Sequence, residues 1–124
     1  MPQIEPFRAL RYNPRRVGDL GAVLCPPYDV ISPTEQQRLQ DLSPFNIVRV
    51  ELGQDEPGDS DESNRYSRAA DALAVWQSEG ALVQDPRPGY YLVAHTYRAS
   101  GREYTRRGIF AAQSLISLCL RARK

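Results

Sequence analysis

The sequence contains few of the residues that form most metal sites and redox motifs, and it has no long apolar segment. It has two cysteines and one histidine among 124 residues. Cys25 and Cys119 lie far apart along the chain and match no zinc or thiol–disulfide spacing. No stretch approaches the roughly 18 consecutive apolar residues of a membrane span. The N-terminus lacks the apolar segment of a signal peptide. We therefore expect a cytoplasmic protein with two reduced thiols and no membrane partner.

Charge of one sign is also scarce, because the formal net charge is only +1. A chain this close to neutral has no overall field to attract nucleic acid, so the composition disfavours that partner. Hydrophobic residues make up 41% and charged residues 25% of the chain, which is typical of globular proteins. At this length we expect one domain with a modest core.

A helix start follows the segment LCPPYDVIS. Ser32 is a suitable N-cap, Pro33 fits the first helical position, and Glu35 stands where a capping-box acid belongs. The pattern predicts a helix to about Leu42, with Leu39 and Leu42 facing inward. The following SPF segment ends this helix, because the residue before a proline disfavours the helical region.

A second helix is predicted over residues 62–79, with Gly80 as its C-cap. Its apolar residues recur at helical spacing and form one stripe, made of Tyr66, Ala69, Ala70, Leu73 and Trp76.

Three segments have the pattern of strands. Residues 46–52, NIVRVEL, alternate and are rich in β-branched residues. Residues 90–98 and 102–112 read as two long strands around a tight turn that contains glycine. With a short first strand near Ile4, the predicted order is β-α-β-α-β-β. The fold class is α+β, with a mixed or antiparallel sheet and two main helices on one face.

The segment LCPPYDVIS also offers the first candidate site. Pro26 and Pro27 stiffen the backbone and present Tyr28 and Asp29 close to a helix N-terminus, which favours anions. Asp29 is the candidate catalytic residue, as a general base or a magnesium ligand, and Tyr28 is a candidate substrate-binding residue. The alternative is structural, with Asp29 bonding locally in a turn while Tyr28 packs.

Other polar residues have weaker claims to a site. Arg8 and Arg11 are suited to bind a phosphate, although solvated or ion-paired arginines are the more common state. His95 alternates with strand residues, which favours a packed or edge histidine over a catalytic one. Apart from the magnesium role considered for Asp29, the sequence assigns no metal ligands.

Two charged segments are better explained without a ligand. The acidic loop from Asp55 to Glu62 lacks the spacing of an EF-hand, so we expect a solvated loop. Near the end, Arg98, Arg102 and Arg106 would form a phosphate-binding strip if they shared a strand face. We favour charged strand edges that discourage aggregation.

Together these segments resemble one family. IEPFRALRYNP, CPPYDVISPTE, SPFNIVRVEL, RYSRAADALAVWQSEGALVQDPRPGYYLVAHTY and RRGIFAA follow one another as in the bacterial domain of unknown function (DUF) 1015 family. The resemblance covers roughly residues 3–112. PFRAL and PPYDVIS are its most specific blocks.

The resemblance implies that complete members have a nucleotide- or phosphate-linked activity. Family members are longer, with an acidic–histidine segment and a later Asp-Gly-His-His-Arg block, which is similar to the phosphate-handling loop of ParB-like nucleotide-binding proteins and a related free-serine kinase. Nucleotide with magnesium is thus the cofactor implied for full-length relatives. This sequence has neither block and departs from the family pattern after Ala112, so we expect a truncated fragment that is not catalytic alone.

Two hypotheses for function follow. In the first, residues 1–112 form a single α+β domain that keeps part of a nucleotide or phosphate site, with Arg8, Tyr28 and Asp29 as its residues. In the second, the domain is not catalytic and associates with a second copy through an exposed strand edge, followed by a divergent tail of residues 113–124.

Overall fold

The computed structural model describes residues 3–113. Its contacts divide the chain into two compact units. The helical unit is Leu10–Val83, and the strand unit is Met1–Ala9 together with Gln84–Lys124. Each unit is held together by its own contacts, and the single domain expected over residues 1–112 stays a prediction. Most of the expected tail, including Cys119, lies outside the described residues.

Helices and short antiparallel strands are both present, which confirms the α+β class. In chain order the regular elements are β1 (Ile4–Glu5), β2 (Leu10–Tyr12), α1 (Pro14–Val17), α2 (Pro33–Leu42), α3 (Val48–Glu51), α4 (Arg65–Ser78), β3 (Leu82–Gln84), β4 (Tyr91–Ala99), β5 (Arg102–Phe110) and β6 (Ala112–Gln113). The described strands form three two-stranded sheets, β1 with β6, β2 with β3, and β4 with β5. Two short 3₁₀ turns occupy Leu20–Val23 and Tyr28–Val30.

The hairpin of β4 and β5 confirms the predicted pair of strands. The pairing is antiparallel and runs without a bulge from Tyr91 opposite Phe110 to Ala99 opposite Arg102. Ser100 and Gly101 connect the strands with φ of 50° and 75°. Positive φ at both central residues is typical of the turn that matches strand twist, and the glycine adopts it without steric cost.

The strand unit has a small polar and aromatic cluster around Tyr91. The Tyr91 hydroxyl donates to the Asp85 carboxylate at 2.6 Å and accepts from the backbone N–H of Ala9 at 3.0 Å. The Phe7 ring lies 5.1 Å from the Tyr91 ring. These contacts join the N-terminal residues to the start of β4.

Helix α2 begins where the capping pattern predicts. The Ser32 hydroxyl accepts from the backbone N–H of Glu35 at 3.2 Å, and the helix ends at Leu42. The Glu35 carboxylate does not complete a capping box, because it accepts two bonds from Arg38 at 2.7 and 2.8 Å. Leu39 is buried as expected, whereas the expectation for Leu42 is wrong, since it is 49% exposed.

The strand predicted over residues 46–52 is wrong. The segment contains the short helix α3, and the buried Asn46 side chain explains why. Its amide donates to the carbonyls of Ala22 at 2.8 Å and Leu24 at 3.0 Å, while its oxygen accepts from the N–H of Val48 at 3.0 Å. These tertiary bonds fix a helix start at this point and override the β propensity of the sequence. The predicted element order is therefore wrong at its second strand.

Helix α4 matches its prediction in position, although it starts at Arg65, later than expected. Asn64 caps it in a reciprocal capping box with Ser67, and Gly80 follows its end with φ of 73°. Trp76 from this helix packs in the core with Ala81 and Leu82. Tyr66, the first residue of the predicted apolar stripe, is 69% exposed. The prediction that its side chain packs with the stripe is therefore wrong.

Candidate functional site

A cleft of about 270 Å³ opens on the helical unit and contains one of the predicted site residues. We call it the Tyr28 cleft. Its walls combine two tyrosines, an arginine, a carboxylate and a short apolar segment: Tyr28, Val50, Glu51, Leu52, Gly53, Arg65 and Tyr66. This volume lies close to the lower end of the range for small-molecule pockets, which is about 300–1,000 Å³.

The two prolines position Tyr28. Pro27 is extended, with φ of −53° and ψ of 140°, and directly precedes the turn Tyr28–Val30. The Val30 N–H donates to the Pro27 carbonyl at 3.1 Å and closes that turn. The Tyr28 side chain is 64% exposed. A stiff, locally bonded turn therefore presents an accessible aromatic ring at the cleft.

The first residues of α4 add a positive charge and a second tyrosine ring to the cleft. The Asn64 side chain accepts from the N–H of Tyr66 at 2.9 Å, which fixes the first turn of the helix. The Arg65 guanidinium donates to the Tyr66 hydroxyl at 2.8 Å, and its central carbon lies 4.9 Å from the Tyr66 ring centroid. Arg65 also lies 3.5 Å from the Asp55 carboxylate. The cleft thus has a positive charge held against an aromatic face.

Gly53 allows the segment after α3 to approach α4 closely. A side-chain carbon at this position would lie 3.2 Å from Cβ of Arg65 and 3.3 Å from its carbonyl oxygen. Both distances are shorter than normal van der Waals contact, so a larger residue would push the two cleft walls apart.

The cysteine near the cleft is held as a thiol. Burial raises the pKa of Cys25, and the Glu51 carboxylate raises it further. Because the thiolate is the nucleophilic form, this environment makes Cys25 a poor nucleophile at neutral pH. Within residues 3–113 no group of three His, Cys, Asp or Glu side chains is arranged to hold a metal ion.

Comparison with known protein families gives a match. The sequence model of a family described as "Protein of unknown function (DUF1015)" matches residues 4–118. The chain belongs to the DUF1015 family. No curated protein and no solved structure matches it. The match confirms the resemblance seen in the sequence and extends to residue 118, beyond the point where the sequence analysis places a divergent tail.

The three predicted site residues of this DUF1015 chain do not belong to one described cluster. Tyr28 lines the cleft. Asp29 lies beside it on the same exposed turn but is not part of the lining. Arg8 lies in the strand unit, where its Nε donates to the Asp85 carbonyl at 2.6 Å. A joint site of Arg8, Tyr28 and Asp29 stays a prediction.

The next candidate residues, His95 and three arginines, lie on the hairpin of β4 and β5. His95 is exposed on β4 opposite Arg106. Arg98 pairs with Glu103, whereas Arg102 and Arg106 alternate with that glutamate along β5. Successive residues of a strand face opposite sides of the sheet. Arg98 shares the face of Glu103, whereas Arg102 and Arg106 lie on the other face, so the three arginines cannot form one strip. In the acidic loop, Asp59 accepts two hydrogen bonds from Arg68. This ion pair attaches the loop to helix α4.

Sequence reasoning missed Gly53, Arg65 and Tyr66 as parts of the cleft. Helical spacing places Tyr66 in an apolar stripe, and the β-branched run predicts a strand over residues 46–52. The available signal was Asn64, a strong N-cap residue, which places Arg65 and Tyr66 on the first turn of the helix rather than in its interior.

No described helix combines the length and apolar character that crossing a membrane requires, in a search confined to residues 3–113.

Proposed function

We propose that this DUF1015 chain binds a nucleotide, a ligand with a planar ring and phosphate groups, in the Tyr28 cleft. Exposed tyrosine rings stack on planar bases, and a guanidinium pairs with phosphate through two parallel hydrogen bonds. The observation that carries the proposal is that Tyr28, singled out from the sequence, lines the same cleft as Arg65 and Tyr66.

Arg65 is available for a phosphate because its ion pair with a carboxylate is weak, although it also donates to the Tyr66 hydroxyl. The Arg65–Asp55 contact is 3.5 Å long and the Asp55 carboxylate is exposed. Exposed ion pairs of this kind contribute only about 0–1 kcal/mol. A phosphate with its larger charge would replace Asp55 beside the guanidinium.

Asp29 keeps its proposed role, in which it would hold a magnesium ion or accept a proton next to the stacked base. Arg8 lies in the strand unit and stays a separate proposal as a phosphate-binding residue, not part of the Tyr28 cleft. We propose binding and assign no reaction to this chain. The nucleotide- or phosphate-linked, kinase-like activity that the family resemblance implies would agree with this binding.

Calorimetry with ATP and magnesium tests the proposal. We expect Tyr28→Ala to weaken binding by roughly tenfold or more, since stacking on one base contributes about 1–3 kcal/mol. Tyr90→Ala is the matched control, because Tyr90 is also an exposed tyrosine but lies in the strand unit. Equal affinity of the wild type and Tyr28→Ala, or the absence of ATP binding by the wild type, would exclude the Tyr28 cleft as a nucleotide site.

The role of Asp29 has its own test. Asp29→Ala should weaken ATP binding only when magnesium is present, because the carboxylate acts through the cation. The same affinity in both proteins with magnesium would remove Asp29 from the site.

A second candidate function is self-association through the hairpin. Among the described residues, β4 and β5 pair only with each other, and Leu92 is 85% exposed with Ile109 exposed directly opposite it. An isolated two-stranded hairpin is marginally stable in water. Pairing with the hairpin of a second copy would cover both the strand edge and the exposed Leu92–Ile109 pair.

Analytical ultracentrifugation tests this candidate. We expect a dimer at high protein concentration that Leu92→Glu converts to monomer. Leu20→Glu, which changes an exposed leucine of the helical unit, should leave the dimer intact. A clean monomer of the wild type at high concentration would rule out the hairpin interface.

A further inference from the structure

A second, smaller cleft in the helical unit is lined by three arginines. We call it the arginine cleft. It has a volume of about 150 Å³, and its walls are Gln40, Arg49, Gly53, Gln54, Glu56, Arg65, Arg68 and Ala72. Glu56 is the only acid among these lining residues. This concentration of positive charge in a small concave surface favours an anion.

Arg49 has donor capacity that its neighbours do not use. Its Nη2 donates to the backbone carbonyl of Gln40 at 2.8 Å, and its Nη1 lies 3.5 Å from the Gln40 side-chain oxygen. Its Nε is buried and has no hydrogen-bond partner among residues 3–113. No carboxylate of the described chain neutralises this guanidinium. A buried N–H without an acceptor is costly, and the positive charge of Arg49, which lines the cleft, is available to attract an anion.

Arg68 and Arg65 differ in how firmly acids hold them. Arg68 donates to both oxygens of Asp59, at 2.7 and 3.0 Å. This bond from Arg68 is the main reason that the pKa of Asp59 is lowered. The contacts of Arg68 with Glu56 and of Arg65 with Asp55 are both 3.5 Å long. Asp59 therefore orients Arg68, whereas another anion could replace Glu56 beside Arg68 and Asp55 beside Arg65.

We propose that the arginine cleft binds a phosphate group, with Arg49 as the residue that supplies a positive charge not paired with a carboxylate among the described residues. The cleft is smaller than pockets for whole drug-sized ligands, which suits a phosphate or pyrophosphate group. Gly53 and Arg65 line both this cleft and the Tyr28 cleft. The inference rests on the proposed function in one respect, that the phosphate would belong to the nucleotide bound at Tyr28. Free inorganic phosphate is the other source of the same chemistry.

Glu56 would compete with a phosphate for Arg68. Its side chain is 62% exposed and touches Arg68 through a single long contact. An incoming phosphate would displace this carboxylate, which then swings into solvent. Removal of the Glu56 charge should therefore tighten anion binding, whereas removal of the Arg49 charge should weaken it.

Calorimetric titration with inorganic pyrophosphate tests the inference. We expect Arg49→Gln to weaken binding by roughly tenfold or more and Glu56→Gln to tighten it about two- to fivefold. Arg38→Gln is the matched control for net charge, because Arg38 pairs with Glu35 on α2 and does not line the cleft. It should change the affinity less than about twofold. Glu56→Gln keeps the test decisive if Arg49→Gln fails to fold.

Three results would overturn the inference: no pyrophosphate binding by the folded wild type, equal weakening by Arg38→Gln and Arg49→Gln, or no tightening by Glu56→Gln. A parallel titration with adenosine separates the two proposals. Pyrophosphate binding that changes as expected in Arg49→Gln and Glu56→Gln supports the arginine cleft, whether or not adenosine and ATP bind. Failure of adenosine and ATP to bind would remove the proposed nucleotide site. Adenosine binding without pyrophosphate binding leaves the Tyr28 cleft standing and overturns the arginine cleft.

Discussion

At the scale of single residues, burial changes the chemistry of Tyr12 in the helical unit. Its hydroxyl donates to the Phe45 carbonyl at 2.7 Å, and its ring lies 6.2 Å from the Trp76 ring. Burial, with a smaller contribution from Cys25, raises the pKa of Tyr12 to about 12. Tyr12 therefore stays protonated in the folded protein at pH values where it would ionise in the unfolded chain.

This shift predicts a loss of stability in base. A raised pKa in the folded state stabilises fully below the unfolded pKa of about 10, and the stabilisation is lost as the pH rises from about 10 to 12. We expect the wild type to lose about 2 kcal/mol more unfolding free energy than Tyr12→Phe over this range, after allowance for partial exposure. Urea unfolding at a series of pH values measures the difference. Parallel pH profiles of the two proteins would contradict it.

At the scale of elements, the helices differ in where their start signals come from. Helices α2 and α4 are capped by Ser32 and Asn64, each of which bonds to a backbone N–H within three residues. Asn46, before α3, instead bonds to carbonyls 24 and 22 residues earlier in the chain. The first two helices are therefore local features, whereas α3 depends on the fold around Asn46.

Substitution of the two asparagines should show this difference. Asn46→Ala leaves buried backbone groups without partners, so we expect a loss of about 2–4 kcal/mol in unfolding free energy. Asn64→Ala removes a cap at a half-buried position and should cost only about 1 kcal/mol. Denaturant unfolding of both variants compares them directly. A loss at Asn64 as large as that at Asn46 would contradict the structural role assigned to Asn46.

The same distinction explains how much the sequence could predict. The hairpin of β4 and β5 and the ends of α2 follow from contacts between neighbours in the chain, and their patterns are visible in the sequence. The helix Val48–Glu51 could not be predicted, because the β-branched run from which it forms has the local pattern of a strand. Tyr28 could be identified as a candidate because two prolines mark its turn. Its position in the same cleft as Arg65 could not be predicted, because it depends on the close approach of Gly53 to Arg65.

At the scale of the whole molecule, the chain divides into two units with different secondary structure. The helical unit has a core around Trp76 and contains both the Tyr28 cleft and the arginine cleft. The strand unit contributes the hairpin, whose side chains are almost all exposed. Ligand binding is thus proposed for one unit and self-association for the other, so variants in each unit should affect only one of these properties.

The central claim is that the Tyr28 cleft binds a nucleotide, and an NMR titration of the labelled chain with ATP and magnesium tests it most directly. We expect the backbone amide shifts that change to cluster at Tyr28, at residues 50–53, and at Arg65 and Tyr66. Saturable shifts confined to the strand unit, or no shifts at millimolar ATP, would contradict the claim.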